Sequence, residues 1–213
     1  MNLPNALSMG RIVATPLIAI LPFANSSGLR LTAFVLFLAA AITDYVDGHL
    51  ARSRKQETDL GRLLDPFADK ALLVGTLVPM YLLAKSDPFQ TLWGEVGLPL
   101  WIVLVVLGRE AFMTVFRQAA ARRGVVIAAI RSAKWKTGIQ FVWQGSAYCW
   151  FWTLTLAAEH DWQNETPWRY FAYFNGTVGT IMMAVATILT IYSLVIYLRS
   201  FGRVFTTAPS KLH

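Results

Sequence analysis

Apolar stretches long enough to cross a bilayer recur along the chain, separated by short polar segments. About 20 apolar residues make one helical span, and on that rule the pattern predicts six. They run from about Met9 to Phe23, Leu31 to Arg52, Leu63 to Ala84, Leu98 to Ala121, Lys136 to Ala157 and Phe171 to Leu198. Residues 1–8, MNLPNALS, read as a short interfacial lead-in in which Asn2 and Asn5 suit helix starts. Pro16 and Pro22 predict a kink in the first span. Asn25 to Arg30, Lys85 to Gly97, 122–136 and 159–170 read as connections. The expected fold is all-α: a polytopic membrane protein of six transmembrane helices forming a single domain over 1–213, with no internal repeat.

Composition agrees. The chain is 55% hydrophobic and 15% charged, against roughly 25% charged in soluble domains. Its net charge of +7 is informative by location. Arg52, Arg54, Lys55 and Arg62 follow the second span, and Arg122, Arg123, Arg131, Lys134 and Lys136 lie between the fourth and fifth. Arg199, Arg203 and Lys211 are in the tail, whereas the opposite connections hold only Arg30, Lys85 and Arg169. This bias places both termini on the cytoplasmic side. These cations belong to membrane loops, so lipid, not nucleic acid, is the expected partner. A single cysteine, Cys149, excludes an internal disulfide and suits a small core residue. The first apolar run lacks a basic leader and a small-residue cleavage site, so it is expected to stay as an anchor.

One polar stretch breaks the pattern. Residues 44–69, DYVDGHLARSRKQETDLGRLLDPFAD, carry Asp44, Asp47, Asp65 and Asp69 at the ends of two spans. Carboxylates there are costly and signal function. Asp44 and Asp47 are three residues apart and Asp65 and Asp69 four, so each pair shares a helix face. Two helices joined by a short loop bring these faces together in a pocket of four carboxylates with no close protein cation. All-oxygen ligation suits Mg²⁺ or Mn²⁺, and four carboxylates suit two ions about 4 Å apart. Gly48 and Ala51 leave room for a ligand against the backbone. Arg52 meets a phosphate oxygen, and Gly61 allows a tight turn. Pro66 places the start of the third helix close to Asp65.

The pattern D-x2-D-G-x2-A-R-x8-G-x3-D-x3-D is met by Asp44, Asp47, Gly48, Ala51, Arg52, Gly61, Asp65 and Asp69. It resembles the signature of the CDP-alcohol phosphotransferase family. The resemblance implies metal binding by Asp44, Asp47, Asp65 and Asp69, with Asp69 as the catalytic base. It implies contacts to the nucleotide-diphosphate donor from the signature positions and from Thr58, seven before Asp65. Related enzymes carry an arginine where Arg11 stands, which favours Arg11 facing the pocket over snorkelling to the interface.

A second cluster lies in the fourth span and the segment after it. Arg109 and Glu110 fall inside the apolar run LPLWIVLVVLGREAFMTVF, and Arg117, Arg131, Lys134 and Lys136 follow. Such cations need an anion: lipid headgroups, Glu110 itself or a phosphorylated substrate. Arg122 and Arg123 suit the positive-inside bias alone. NLPNALSMGRIV, LLDPFADK, GREAFMTVFRQAAARRGVVI and AKWKT look like the branch of the family whose donor is CDP-diacylglycerol and whose acceptor is sn-glycerol 3-phosphate. That resemblance implies an acceptor-phosphate site at Arg109, Arg117, Lys134 and Lys136, a homodimer, and a bacterial-type inner membrane with the site facing the cytoplasm. Cardiolipin-, inositol-phosphate- or serine-type acceptors are the alternatives within the family. Outside it, the aspartates suit a divalent-cation transporter, although all four lie in one hairpin at one face and no repeat is visible. His49, His160 and His213 are scattered and form no metal set. Trp93, Trp101, Trp150, Trp152, Trp162 and Trp168 are expected in an interfacial belt. Gly176, Gly179, Ala172 and Ala184 are expected to offer small packing surfaces.

Overall fold

A computed structural model describes residues 3–54, 59–123 and 131–201; the side chains of 3–4, 45–54, 59–63, 65, 131–134 and 201 are not described. The chain is mostly helical. Among the described residues the helices are α1 (Leu3–Ile20), α2 (Ser27–Arg54), α3 (Asp59–Leu83), α4 (Leu100–Arg122), α5 (Arg131–Glu159) and α6 (Thr166–Phe201). Among these residues, too, four stretches are long and apolar enough to cross a membrane: Asn5–Phe23, Ser27–Asp44, Pro66–Leu83 and Thr166–Ser200. α4 is interrupted by charge at Arg109, Glu110 and Arg117, and α5, uncharged from Thr137 to Ala158, is made less apolar by Gln140, Gln144 and its tryptophans.

Several boundaries differ from the sequence reading. α1 starts at Leu3, so residues 3–8 are its first turns; it runs through Pro16 and gives way to a 3₁₀ turn, Leu21–Phe23, that contains Pro22. α3 begins at Asp59, not near Asp65, which puts Gly61 inside the helix and Pro66 in its second turn. A bundled helix accommodates the single hydrogen bond this proline removes. α5 begins at Arg131, so the basic connection is shorter than expected.

The loop read at 85–97 contains a small hairpin, β1 (Phe89–Thr91) and β2 (Gly94–Val96), antiparallel with Phe89 opposite Val96. Gly94 has φ 120°, a conformation that glycine adopts without strain. Thr91 Oγ1 donates to the Gly94 carbonyl at 2.6 Å. This hairpin lies on α6, and the Leu92 N–H donates to Thr177 Oγ1 at 3.1 Å. A Cβ on Gly176 would overlap the backbone of Gln90. Gly176→Ala is therefore expected to lower stability by about 1–3 kcal/mol through overpacking, read as a lower melting temperature in detergent.

Among the described residues, the two larger of three apolar clusters join most of the helices. The larger joins α3, α4, α5, α6 and the hairpin through Leu77, Met80, Val106, Trp143, Trp150 and Ala172. The other joins α1, α2, α3 and α5 through Ile18, Phe37, Leu72 and Tyr148, with Phe37 stacked on Tyr148 at 5.4 Å. Gly75 lets α1 and α3 approach, since a Cβ there would stand 2.5 Å from Thr15 Cγ2. Gly179 does the same for α5 and α6 against Ser146. Ala184, read as a packing position, is exposed. Trp93, Trp101 and Trp162 are exposed as a belt requires, but Trp150 is a core residue whose Nε1 donates to the Asp87 carbonyl at 3.2 Å. The apolar bulk of its indole is buried and its one polar atom is satisfied.

Polar ties gather at the two ends of the bundle. At one end Arg30 pairs with Asp87 at 3.1 Å and donates to the Phe151 carbonyl. Beside it Glu159 accepts from the Ser27 N–H at 2.8 Å and from the Ser27 hydroxyl. Glu159 thus caps the start of α2 from the end of α5, and these bonds hold its carboxyl below the usual glutamate range. A lowered carboxylate favours the folded form at neutral pH, and the gain is lost as pH falls through its folded value.

Candidate active site

The opposite end gathers the candidate site residues. Asp44 projects from α2 and Asp69 from α3. Their carboxyls adjoin each other. α1 packs against both helices and inserts Arg11 between them. Arg11 Nη1 donates to Asp69 Oδ1 at 2.8 Å and also pairs with Asp44 Oδ1. The guanidinium is buried, whereas the Asp69 side chain is 55% exposed and so open to a ligand. This corrects the expectation of a pocket without a close protein cation. The hairpin taken alone omits α1, and two carboxylates converging in an apolar bundle require positive charge nearby. Arg11 faces the site and does not snorkel.

Asp47, Gly48, Ala51 and Arg52 lie on α2, Gly61 and Asp65 on α3, and Lys134 on α5; their side-chain positions are outside the described residues. Thr58, His49 and His213 are likewise outside them. No group of three metal-ligating side chains forms among the described residues. Asp44 and Asp69 fit a hard divalent ion in donor type, since both offer carboxylate oxygen from two helices; Arg11 pairs with Oδ1 of each.

The second cluster meets the first. Glu110 of α4 accepts from Arg109 Nη1 at 2.7 Å and pairs with Lys136 of α5. Of the three possible anions, Glu110 is thus a partner to both cations. A cavity of about 140 Å³ lies between the clusters, with Asp44, Asp69, Glu110, Lys136, Thr137, Gln140, Phe141 and Gln144 in its walls. Lys136 is only 3% exposed and is held at this wall by Glu110. Arg109 stands behind it: Nη2 donates to Ser193 Oγ at 3.2 Å and the guanidinium lies 5.9 Å from the Tyr197 ring centre. The Arg117 guanidinium lies 5.6 Å from the same ring centre and donates to Tyr197 Oη at 3.3 Å. Neither Arg109 nor Arg117 lines the cavity.

The sequence reading missed Thr137, Gln140 and Gln144. A signal for the glutamines was present: Lys136, Gln140 and Gln144 recur every four residues in an apolar helix, so they form a polar stripe along one face. His160 is exposed beside Trp162 and away from this cavity.

The cavity thus joins two carboxylates tied to Arg11 and a Glu110–Lys136 ion pair, at one end of a membrane-type bundle. Comparison with known proteins gives its class. A family model described as CDP-alcohol phosphatidyltransferase matches residues 1–198, and the chain belongs to that family. A CDP-diacylglycerol–glycerol-3-phosphate 3-phosphatidyltransferase of Arabidopsis thaliana is 30% identical over 96% of this chain and 64% of its own length. One of the same name from Rickettsia bellii is 39% identical over 65% of this chain and 70% of its own. A cardiolipin synthase (CMP-forming) of Oryza sativa subsp. japonica is 31% identical over 96% of this chain and 58% of its own. The chain therefore spans less than two thirds of the Arabidopsis and rice relatives. Its apolar helices and its family together make it an integral membrane protein.

Proposed function

We propose that the protein transfers the phosphatidyl group of CDP-diacylglycerol to sn-glycerol 3-phosphate, releasing CMP and phosphatidylglycerophosphate. The observation that carries this reading is the cavity shared by Asp69 and Lys136, which suits a hydroxyl at one wall and a phosphate at the other. The names of the Arabidopsis and Rickettsia relatives support it. At about 140 Å³ the cavity has room for roughly five water volumes, the scale of a small phosphorylated alcohol.

In this reading Asp69 takes the proton from the acceptor hydroxyl as its oxygen attacks the phosphatidyl phosphorus. The bond from phosphorus to the CMP oxygen breaks, and CMP departs with that electron pair. Asp44, Asp47, Asp65 and Asp69 would hold two ions, Mg²⁺ or Mn²⁺, which would supply counter-charge for the diphosphate. Gly48, Ala51, Arg52, Thr58 and Gly61 hold the donor. Lys136 meets the acceptor phosphate directly, with Lys134, Arg109 and Arg117 adding positive potential around it.

The same proposal takes one domain over 1–213, six spans, a homodimer, an interfacial first segment, and a site and termini facing the cytoplasm of a bacterial-type inner membrane. α4 and α5, at 23 and 29 residues, are long enough for a core of about 30 Å. The name of the rice relative favours a second reading, with phosphatidylglycerol as acceptor.

Purified protein supplied with CDP-diacylglycerol and Mg²⁺ or Mn²⁺ distinguishes these readings. Sn-glycerol 3-phosphate is expected to drive CMP release at least about tenfold faster than phosphatidylglycerol, inositol 1-phosphate or serine, and chelation to stop it. Faster release with phosphatidylglycerol overturns the acceptor assignment.

A further inference from the structure

The polar stripe of α5 enters the same cavity, and beyond Lys136 its side chains have no part in the chemistry above. Successive turns carry Lys136, Gln140 and Gln144 about 6 Å apart. Gln140 is only 7% exposed, yet its amide has no hydrogen-bond partner among the described residues. Polar groups inside proteins are almost always paired, and this amide opens on the cavity, where a polar ligand can reach it.

Gln144 has a fixed orientation. The Thr76 hydroxyl donates to the Leu72 carbonyl at 2.8 Å, which leaves its oxygen to accept from Gln144 Nε2 at 3.1 Å. Gln144 therefore gives its NH₂ to α3, and its carbonyl oxygen has no partner among the described residues. The stripe offers a cation, then an open amide, then an oriented amide. Glu110 anchors the cation end and Thr76 the other.

We propose that Gln140, supported by Gln144, recognises the acceptor's non-reacting hydroxyl and makes the cavity selective for a small vicinal-diol monophosphate. The inference rests on the transferase reading above. With the phosphate at Lys136 and the reacting hydroxyl at Asp69, an acceptor carrying one further hydroxyl satisfies the Gln140 amide. An acceptor of equal length without that hydroxyl leaves the amide buried and unpaired, which is the stronger source of discrimination.

The test uses the purified full chain with Mg²⁺ and CDP-diacylglycerol, comparing sn-glycerol 3-phosphate with 3-hydroxypropyl phosphate. The latter keeps the terminal hydroxyl and the phosphate and lacks only the middle hydroxyl. Wild type is expected to favour glycerol 3-phosphate in kcat/KM by about 10–100-fold. In Gln140→Met the preference is expected to fall below about threefold, with the loss confined to glycerol 3-phosphate and the donor KM unchanged. Should Gln140→Met fail to fold, Gln140→Asn, whose amide is withdrawn by one methylene, is expected to lose most of the preference.

Proportional loss on both acceptors would make Gln140 structural and overturn the proposal. A wild type indifferent to the middle hydroxyl overturns it too, while leaving the transferase reading standing. A wild type that releases CMP with no phosphorylated acceptor removes that reading, and this proposal with it.

Discussion

Asp69→Asn is expected to lower the rate of CMP release by about a thousandfold, the scale of a lost general base, with the bundle intact. The Asp69 side chain reaches the cavity from the second turn of the third helix's apolar stretch and is more than half exposed, while its neighbour Asp44 is more enclosed. Asparagine keeps the shape and one oxygen for Arg11 but accepts no proton from an attacking hydroxyl. The loss should therefore fall on kcat, with the donor KM changed only as far as a weakened metal site requires. Steady-state CMP release at saturating donor measures it, and near-normal turnover excludes Asp69 as the base.

The second large effect is expected at Arg11. Its guanidinium is the cation shared by Asp44 and Asp69. Arg11→Met leaves two adjoining carboxylates at the end of an apolar bundle with that charge removed. In chelator the variant is expected to lose about 2–3 kcal/mol of stability, below the range for a fully buried pair because Asp69 is solvated. Mg²⁺ is expected to restore most of the loss by mass action on a folded-state site. Thermal melts of wild type and variant, each with chelator and with Mg²⁺, give the comparison. A variant that melts early and ignores Mg²⁺ shows that the carboxylates do not bind the ion.

The meeting of Asp44 and Asp69 was legible in the sequence because aspartates are conspicuous in membrane-length apolar runs; the shared faces expected of Asp47 and Asp65 lie outside the described side chains. The role of Arg11 was only half legible. Its partners are 33 and 58 residues away, and only the packing of α1 on α2 and α3 brings them together. The ion pairs of Glu110 with its neighbour Arg109 and with Lys136 were anticipated only as one possibility among three, because charge balance alone does not say which anion a cation meets.

Gln140 and Gln144 escaped because a four-residue polar spacing marks a helix face but not the cavity that the face lines. Pro66 and Gly61 misled the reading of the third helix, since local preferences for breaks gave way to bundle packing. The hairpin at 89–96 was hidden for a related reason. Its three-residue strands carry too little alternation to register, and they are stabilised by docking on α6.

The central claim is that the acidic ends of the second and third helices hold the divalent ions on which a lipid-linked diphosphate is split. Mn²⁺ binding followed by electron paramagnetic resonance, with CDP present, tests it directly. The account predicts about two bound ions per wild-type chain, the number suited to four carboxylates and phosphoryl chemistry, and loss of binding in the Asp44→Asn/Asp69→Asn double variant. Equal Mn²⁺ binding by wild type and the double variant, or none by either, would contradict it.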